Sequence, residues 1–143
     1  MITRELIGRT SAAVTLDVEK GHIRRFVEAI GETDPVYVDE AAALAAGHPR
    51  IPAPPTFAIA LRPNDARSGV DIDWTKLLHG EQEFELHRPL YAGDQVTLTQ
   101  RITDVYEKQG KAGIMDFMVL ETIGTDPTDE VVFVARGTIV VKR

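Results

Sequence analysis

The amino-acid sequence predicts an α+β fold in which a bent antiparallel sheet packs against helices. Up to about residue 62, apolar residues recur at helical spacing among Pro and Ala; from about residue 79, they alternate with polar residues as in β-strands. A polar connection, Pro63 to Trp74, separates the two parts. Strands joined by short turns are expected to pair antiparallel, and the apolar face of the sheet needs a second layer to cover it.

The first part begins with a predicted strand from Val14 to Val18, which a helix follows. Asp17 lies where the N-cap of that helix belongs, and Glu19 falls in its first turn. Gly31 suits the position just after the last turn. One face of the helix carries apolar residues at the i, i+3, i+4, i+7 spacing: Ile23, Phe26, Val27 and Ile30.

A second, short helix is predicted from Glu40 to Ala46, capped by Asp39 and closed by Gly47. Prolines then follow closely, the last of them Pro55, and they prevent regular helix until Thr56. The segment from Thr56 to Arg62 is apolar, and periodicity alone does not distinguish a helix from a buried strand there. We expect a helix or turn that ends at Pro63, and the flanking prolines favour helix over strand.

The second part of the chain predicts four strands separated by turn signals. The strands lie near Glu81–His87, Val96–Thr103, Ile114–Ile123 and Val131–Val141. The turn signals are Ala92–Asp94, Gln109–Lys111 and Gly124–Asp129. The last two strands are apolar on both faces. One face is therefore expected to pack on the helix; the other either packs against a second subunit or carries extra apolar residues of an ordinary sheet.

Composition and charge narrow the class of protein. The 143 residues fit one domain, 1–143. The lack of cysteine excludes a disulfide framework, a thiolate nucleophile and cysteine-ligated zinc. A formal charge of −6 without a basic run makes nucleic acid an unexpected partner. No apolar stretch is long enough for a membrane helix and the N-terminus lacks a signal-peptide core, so we expect a cytoplasmic protein without a membrane partner.

The turn after the first helix is the first candidate site. Glu32, Asp34 and Tyr37 place two carboxylates and a phenol around Pro35. Carboxylates near apolar groups can act as general acids or bases. The alternative is structural: Asp34 makes an Asx turn before Pro35.

The proline-rich segment from Gly47 to Phe57 is the second candidate. If it leads into a helix, the N–H groups of Thr56 and Phe57 could face a developing oxyanion; otherwise it is a rigid connector. The third candidate is His79, beside a glycine at the start of a strand, where an imidazole could act as acid or base. The polar residues that follow, Glu81, Glu83, Glu85 and His87, are expected to be exposed.

Cofactor and metal sites are not expected. The four histidines, at positions 22, 48, 79 and 87, lack the clustered spacing of a metal site. No glycine-rich phosphate loop follows a predicted strand. The two serines, Ser11 and Ser68, stand in no nucleophile motif.

Three segments together resemble the MaoC-like dehydratase family, which has the hot-dog fold: FVEAIGETDPVY (26–37), GHPRIPAPPTF (47–57) and LHGEQEFELHRPL (78–90). The resemblance runs from Leu6 to Val141. It is strongest to the N-terminal-type half of fatty-acid-synthase-like dehydratase regions and to the non-catalytic-type subunit of two-subunit hydroxyacyl-ACP dehydratases. It implies a curved antiparallel sheet wrapped around a central helix. The implied activity is (R)-specific hydration of enoyl thioesters, or dehydration of 3-hydroxyacyl thioesters, carried on CoA or ACP.

Active members of the family hold a water with an Asp and a His from a G-D-x-N-P-x-H loop. In this sequence Glu32 stands at the Asp position, Asp34 at the Asn position and Tyr37 at the His position. The longer Glu displaces its carboxylate, and a phenol with a pKa near 10 replaces imidazole poorly at neutral pH. The resemblance thus implies that a partner hot-dog subunit supplies the dyad in a heterodimer. The alternative is a homodimer with a variant site, whose candidate catalytic residues are Glu32, Tyr37 and His79.

The resemblance also implies which residues would bind the acyl thioester: Asp34, Pro54, Pro55, Thr56, Phe57, Ile59 and Leu61. Four arginines could form a basic patch for an acidic carrier protein: Arg50, Arg62, Arg67 and Arg88. Two other interpretations compete with the enzyme subunit. One is a non-catalytic module that only binds acyl thioesters, and the other is a cone-shaped fold like that of ketosteroid isomerase. A single long central helix wrapped by the sheet would favour the hot-dog fold.

Overall fold

The computed structural model describes residues 2–111 and 113–143; Met1 and Ala112 of the predicted 1–143 domain lie outside the described residues. The α-helices are α1 (Lys20–Ala29) and α2 (Glu40–Ala45). The strands are β1 (Val14–Asp17), β2 (Leu77–Leu86), β3 (Gln95–Gly110), β4 (Gly113–Thr125) and β5 (Val131–Lys142). Short 3₁₀ turns occur at Arg4–Leu6, Pro35–Tyr37, Phe57–Ala60 and Trp74–Lys76. Within the described residues, no helix is both long and apolar enough to cross a membrane.

The start of α1 differs from the prediction, whereas its end agrees. Asp17 does not cap the helix: it is the last residue of β1, and Glu19 occupies the N-cap without a side-chain hydrogen bond. The chain stays extended there because Val18 is buried and exchanges backbone hydrogen bonds with the turn before β3. Gly31 follows the helix with a φ of +71°, a conformation that glycine adopts at little cost.

The cap of α2 forms as predicted. The Asp39 carboxylate accepts hydrogen bonds from the amides of Ala41 and Ala42, at 2.8 and 3.4 Å. Two N–H groups that a helix start leaves without a partner are thereby satisfied. The third predicted helix, Thr56 to Arg62, is only the 3₁₀ turn at Phe57–Ala60. The segment is therefore helical and not a strand, but the helical part is shorter than the predicted segment.

The five strands form one antiparallel sheet in the order β1-β3-β4-β5-β2. The two hairpins β3–β4 and β4–β5 are those that the turn signals predict. The expectation that β2 also pairs with β3 is wrong, because β2 lies at the far edge beside β5, with Phe84 opposite Ala135. The connection of residues 87–94 can reach about 26 Å, more than the roughly 14 Å across three interstrand gaps.

One face of the sheet wraps around α1. Ile23 and Val27 of the helix pack with Phe57 against Leu98 and Phe133, and all five are buried. The other end of the same face is covered by a second apolar cluster under the predicted polar connection. Its members include Ala66, Ile72, Ile102, Met118 and Ile139. The connection between the two parts of the chain is therefore part of the core.

The opposite face carries a row of charges across four strands. Four charged residues lie directly opposite one another in neighbouring strands: Arg101 in β3, Glu121 in β4, Arg136 in β5 and Glu83 in β2. Arg136 donates to Glu121 at 2.9 Å and to Glu83 at 3.1 Å, while Arg101 donates to Glu121 at 3.1 Å. The apolar residues of this face, such as Val134 and Val140, are buried between their neighbours. Packing of this face on a second subunit stays a prediction.

Candidate functional site

The three segments that carry the family resemblance converge on one cavity of about 380 Å³. Its walls are Tyr37 at the end of the turn after α1, the proline-rich residues 52–55, and residues 86–90 where β2 ends. We call this cavity the proline pocket. Segments that are far apart in the sequence thus form a single, mostly apolar site.

The proline-rich segment is held in place by backbone pairing as well as by its prolines. The Ala53 amide donates to the Leu90 carbonyl at 2.7 Å, and the Ala92 amide donates to the Ile51 carbonyl at 2.8 Å. Residues 51–53 therefore run as a short ribbon beside the connection between β2 and β3. Such a wall is pre-organised, so little conformational entropy remains to be lost when a ligand binds.

A largely buried carboxylate clamps the same two segments together. The Asp94 carboxylate accepts hydrogen bonds from Arg50 at 2.8 Å, from Arg88 at 2.7 Å and from the Tyr91 amide at 3.0 Å. Burial alone would raise the pKa of Asp94, but the hydrogen bonds from Arg88, the Tyr91 amide and Arg50 outweigh it and lower the pKa below its ordinary value. Asp94 therefore stays ionised and holds both arginines beside the proline pocket.

The turn after α1 uses its carboxylates to fix its own backbone. Glu32 Oε1 accepts hydrogen bonds from the amides of Thr33 and Asp34, at 2.8 and 2.9 Å. Asp34 Oδ1 accepts one from the Val36 amide at 3.0 Å, so the Asx turn offered as the structural alternative is present. Neither carboxylate lines the proline pocket.

Tyr37 is the residue of this turn that reaches the pocket. Burial raises the pKa of its phenol, and the negative charges of Glu32 and Asp34 raise it further. The phenol therefore keeps its proton at neutral pH. It can donate a hydrogen bond to a ligand oxygen, but it cannot serve as a base there.

The three catalytic candidates do not come together in one site. Tyr37 lines the proline pocket, Glu32 lies outside it, and His79 lines a second cavity of about 410 Å³, which we call the sheet groove. His79 Nε2 is 3.0 Å from the Glu81 carbonyl oxygen. Ala58, in the 3₁₀ turn at Phe57–Ala60, borders both cavities, so this turn is the wall between them.

The candidate binding residues divide between the cavities and the core. Pro54 and Pro55 line the proline pocket, whereas Ile59 and Leu61 line the sheet groove. Thr56 is exposed and lines neither cavity. The predicted wall is therefore split by the 3₁₀ turn into two surfaces that face different spaces.

Phe57 belongs to the core. Its side chain is fully buried, with its ring edge-on to those of Phe26 and His22 at centroid distances of 5.5 and 5.0 Å. Its amide donates to the Pro54 carbonyl at 2.9 Å. The hypothesis that this N–H faces an oxyanion is therefore wrong, because the turn already uses it.

The floor of the sheet groove is the sheet itself. At Gly137, in the middle of β5, a Cβ atom would lie only 3.0 Å from Gln82 Oε1 and 3.6 Å from His79 Nε2, so the glycine leaves room on the floor for these two side chains. Gln100 and Thr122 are neighbours on the same floor, with a side-chain hydrogen bond of 3.4 Å. The groove is thus apolar at its rim of Ile59 and carries amide and hydroxyl groups on its floor.

The four candidate arginines fall into two pairs. Arg50 and Arg88 both bind Asp94, and Arg88 lines the proline pocket, whereas Arg62 and Arg67 line the sheet groove. Arg67 also pairs with Asp65 at 2.8 Å and lies over the ring of Trp74. Each pair therefore stands beside one cavity.

Two histidines that line the proline pocket are not among the site residues predicted from the sequence. His48 lines it, with Nδ1 3.3 Å from the Tyr91 hydroxyl. His87 is exposed, as predicted, yet also lines the pocket, because β2 ends at Leu86 and the chain turns there. The available signal was their position in two of the three resembling segments, His48 directly before Pro49 and His87 two residues before Pro89. In residues 2–111 and 113–143, no three His, Asp or Glu side chains are grouped as a metal site requires.

The antiparallel sheet wrapped around one central helix, with the proline pocket at its edge, is the hot-dog fold; the alternative cone fold is wrong. The family model described as "FAS1-like, dehydratase domain region" matches residues 5–135, and the chain belongs to this family.

The chain is also similar to other proteins in sequence and in structure. A UPF0336 protein from Saccharopolyspora erythraea is 35% identical over 131 residues, covering 88% of this chain and 81% of the relative. The ChsH1-ChsH2 complex from Mycobacterium tuberculosis contains a chain with 30% identity and a TM-score of 0.78, covering 94% of this chain and 89% of that one. The HadBC (3R-hydroxyacyl-ACP dehydratase) complex of the same organism gives 25% identity and a TM-score of 0.80, covering 94% and 96%. Both similar structures are complexes of two different chains.

Proposed function

We propose that this chain is the non-catalytic-type subunit of an (R)-specific enoyl-thioester hydratase or 3-hydroxyacyl-thioester dehydratase. It forms one hot-dog module, binds part of an acyl-CoA or acyl-ACP thioester, and relies on a partner hot-dog subunit for the Asp/His dyad. One observation carries the proposal. At the position of the family His, Tyr37 presents to the proline pocket a phenol whose pKa is raised.

Hydration of an enoyl thioester needs a base that activates water near the working pH. The Tyr37 phenol is protonated there, and Glu32 and Asp34 are bound to the amides of their own turn. What remains in the turn after α1 is therefore a hydrogen-bond donor, the Tyr37 phenol, at the wall of an apolar pocket. This supports a binding role, in which Tyr37 orients the thioester for a dyad that comes from elsewhere.

The two cavities suit an acyl thioester. The proline pocket offers apolar walls with Tyr37 and two histidines at polar positions, and the sheet groove, on the other side of Ala58, offers Ile59 and Leu61. Each methylene buried in such apolar space contributes about 0.8 kcal/mol. We assign the thioester end to the proline pocket and the acyl chain to the sheet groove, which the chain would enter by passing Ala58, the residue that borders both cavities.

The similar solved structures support a heterodimer over a homodimer. The ChsH1-ChsH2 and HadBC structures are each named as a complex of two chains, and a HadBC complex is named a dehydratase. A cytoplasmic location fits this role and stays a prediction, which cell fractionation would test.

The test is crotonyl-CoA hydration by this chain alone, by a hot-dog protein with an intact Asp/His loop encoded beside it, and by the two mixed. We expect background rates for this chain, and a rate for the mixture at least tenfold above that of either subunit. Tyr37→Phe in the mixture keeps the bulk of the rate, because the phenol is not the base.

Two results would contradict the proposal. Full activity of the isolated chain that is lost on Glu32→Ala or Tyr37→Phe would establish a self-sufficient homodimer. Thermal stabilisation by acyl-CoA without turnover in any mixture would establish the pure binding module.

A further inference from the structure

The sheet groove carries polar side chains on a face of the sheet that is otherwise apolar. In β3, Gln100 lies on the same face as Leu98 and Ile102, because residues two apart in a strand point to the same side. Leu98 and Ile102 are fully buried, and each belongs to a different one of the two apolar clusters of the core. A polar side chain between them is therefore an exception that packing of the core does not require.

Two other strands bring polar groups to the same groove. Thr122 of β4 lies directly opposite Gln100, and Gln82 of β2 lies directly opposite Gly137 of β5. All four residues line the groove. We call Gln82, Gln100 and Thr122 the polar floor. Since three strands contribute to it, the register of the whole sheet brings these side chains together.

The hydrogen bonds of the polar floor leave donors and an acceptor available. Gln100 Oε1 accepts from the Ala66 amide at 3.1 Å, and Gln100 Nε2 donates to Thr122 Oγ1 at a long 3.4 Å. The Thr122 hydroxyl hydrogen and the second Nε2 hydrogen of Gln100 then remain to donate. Gln82 Nε2 donates to the Glu83 carbonyl at 3.3 Å, while no residue in the described part of the chain donates to Gln82 Oε1.

An unsubstituted alkyl chain suits this floor poorly. It would cover the amide and hydroxyl groups without replacing the hydrogen bonds that they make with water, which costs free energy. A hydroxyl group both donates and accepts, so it can satisfy an acceptor such as Gln82 Oε1 together with a donor such as the Thr122 hydroxyl. A carboxylate only accepts and would repel the Gln82 oxygen.

The arginines of the groove would instead favour a chain with a second carboxylate. Arg67, however, already binds Asp65 through two nitrogens, at 2.8 and 2.9 Å, and lies over the Trp74 ring. Arg62 is exposed, where an ion pair contributes little. The uncharged polar floor therefore decides the class of ligand.

We propose that the sheet groove selects an acyl chain that carries a hydroxyl group remote from the thioester, and that Gln82, Gln100 and Thr122 determine this specificity. The inference rests on the proposed function, because it takes the acyl chain to lie in this groove. Exposed apolar residues of the groove, Ile59 and Trp74, pack against the methylenes, while the polar floor binds the hydroxyl.

The test compares CoA esters of equal chain length by isothermal titration. The ligands are dodecanoyl-CoA, a set of hydroxydodecanoyl-CoA esters that differ in the position of the hydroxyl, and the CoA monoester of dodecanedioic acid. We expect at least one hydroxy ester to bind about threefold to tenfold more tightly than dodecanoyl-CoA, the gain of one net hydrogen bond.

Two variants assign the preference to the polar floor. Thr122→Val and Gln82→Leu should each reduce the preference for the hydroxy ester, while dodecanoyl-CoA binds equally well or more tightly. Gln109→Leu is the matched control, because Gln109 is an exposed glutamine of β3 outside the groove whose Nε2 also donates to the carbonyl of the next residue. It should keep the full preference.

A second measurement does not depend on the thioester. The side-chain amide signals of Gln82 and Gln100 in proton–nitrogen NMR spectra report directly on the polar floor. We expect 1-hexanol to shift them more than its isomer 1-methoxypentane, which has no hydroxyl hydrogen to donate to Gln82 Oε1. The Gln109 signals should stay in place, and Thr122→Val should reduce the shifts.

Three results would overturn the inference. They are equal affinity for dodecanoyl-CoA and every hydroxy ester, tightest binding of the dicarboxylic monoester, which would assign the selectivity to Arg62, and absence of any hexanol shift at Gln82 and Gln100. Failure of the proposed function is distinct, because then none of the CoA esters binds. The hexanol spectra alone would in that case decide whether the polar floor binds a hydroxyl group.

Discussion

The proline pocket and the sheet groove lie on either side of Ala58 and are of similar volume, yet they are built differently. The pocket is walled by connecting segments, which are fixed by prolines, backbone pairing and the Asp94 clamp. The groove is floored by strands, and its space depends on the missing side chain at Gly137. A cavity formed by connecting segments needs specific hydrogen bonds and ion pairs to keep its shape. A cavity formed on a sheet needs only a small residue in the right register.

This difference predicts that the two cavities fail in different ways. Removing the hydrogen bonds and ion pairs that hold the connecting segments together should make the proline pocket less rigid and lower the stability of the protein. Filling the groove should leave stability nearly unchanged and alter which ligands bind.

The largest effect is expected from Asp94→Ala. The substitution leaves Arg50 and Arg88 without their common partner, and we expect a loss of about 2–3 kcal/mol in the free energy of unfolding. Urea denaturation followed by circular dichroism measures it. Asp126→Ala is the matched control and should have a smaller effect, because it removes a partly exposed turn carboxylate that binds Thr128 and the Glu130 amide and, in the described part of the chain, accepts no hydrogen bond from an arginine. An equal loss in both variants would show that the clamp does not hold the pocket.

The same clamp predicts a pH dependence. The pKa of Asp94 is lower in the folded protein than its unfolded value of about 3.9, so the unfolded chain takes up the proton first as the pH falls. The stability from the clamp is therefore fully present above about pH 4 and is lost as the pH falls through the folded pKa. The stability difference between wild type and Asp94→Asn should be constant from pH 5 to 8 and shrink below pH 4. A difference that grew on acidification would contradict this assignment.

The contrast between the cavities also explains what the sequence could predict. The elements follow from short-range patterns: the apolar face of α1, the Asp39 cap and the β3–β4 and β4–β5 turns. The position of β2 does not, because pairing with β5 brings together residues such as Phe84 and Ala135, about fifty positions apart. Local signals specify that a strand exists, and only the packing of the whole sheet decides its neighbour.

The candidate site shows the same limit. Tyr37, Pro54 and Pro55 were predicted from the segments that form the proline pocket, since each segment brings its own residues. Phe57 is predicted to bind the acyl thioester but lies in the core, because an apolar residue after prolines is equally consistent with a cavity wall and with the core. The groove residue Gly137 was missed, because its role depends on Gln82 in the neighbouring strand β2.

The next effect concerns the groove. A side chain at Gly137 would enter the space between Gln82 and His79, so Gly137→Val should weaken binding of long-chain acyl-CoA about tenfold and of butyryl-CoA less than twofold. Isothermal titration with both ligands measures the ratio. Thr138→Val changes the next residue, on the opposite face of β5, and should weaken neither. Equal weakening of both ligands by Gly137→Val would place the acyl chain outside the groove.

The smallest effect is expected from Tyr37→Phe, which removes one hydroxyl from the proline pocket. Because the raised pKa keeps the phenol protonated, its contribution is a single hydrogen bond to the ligand, and binding of butyryl-CoA should weaken about threefold to tenfold. The ratio of wild-type to Tyr37→Phe affinity should stay constant from pH 6 to 9, since the phenol does not titrate in that range. An affinity that falls across that range only when Tyr37 is present would mean that the phenol ionises in the complex. Tyr37 would then be a candidate base, and the proline pocket would have to be treated as a catalytic site in its own right.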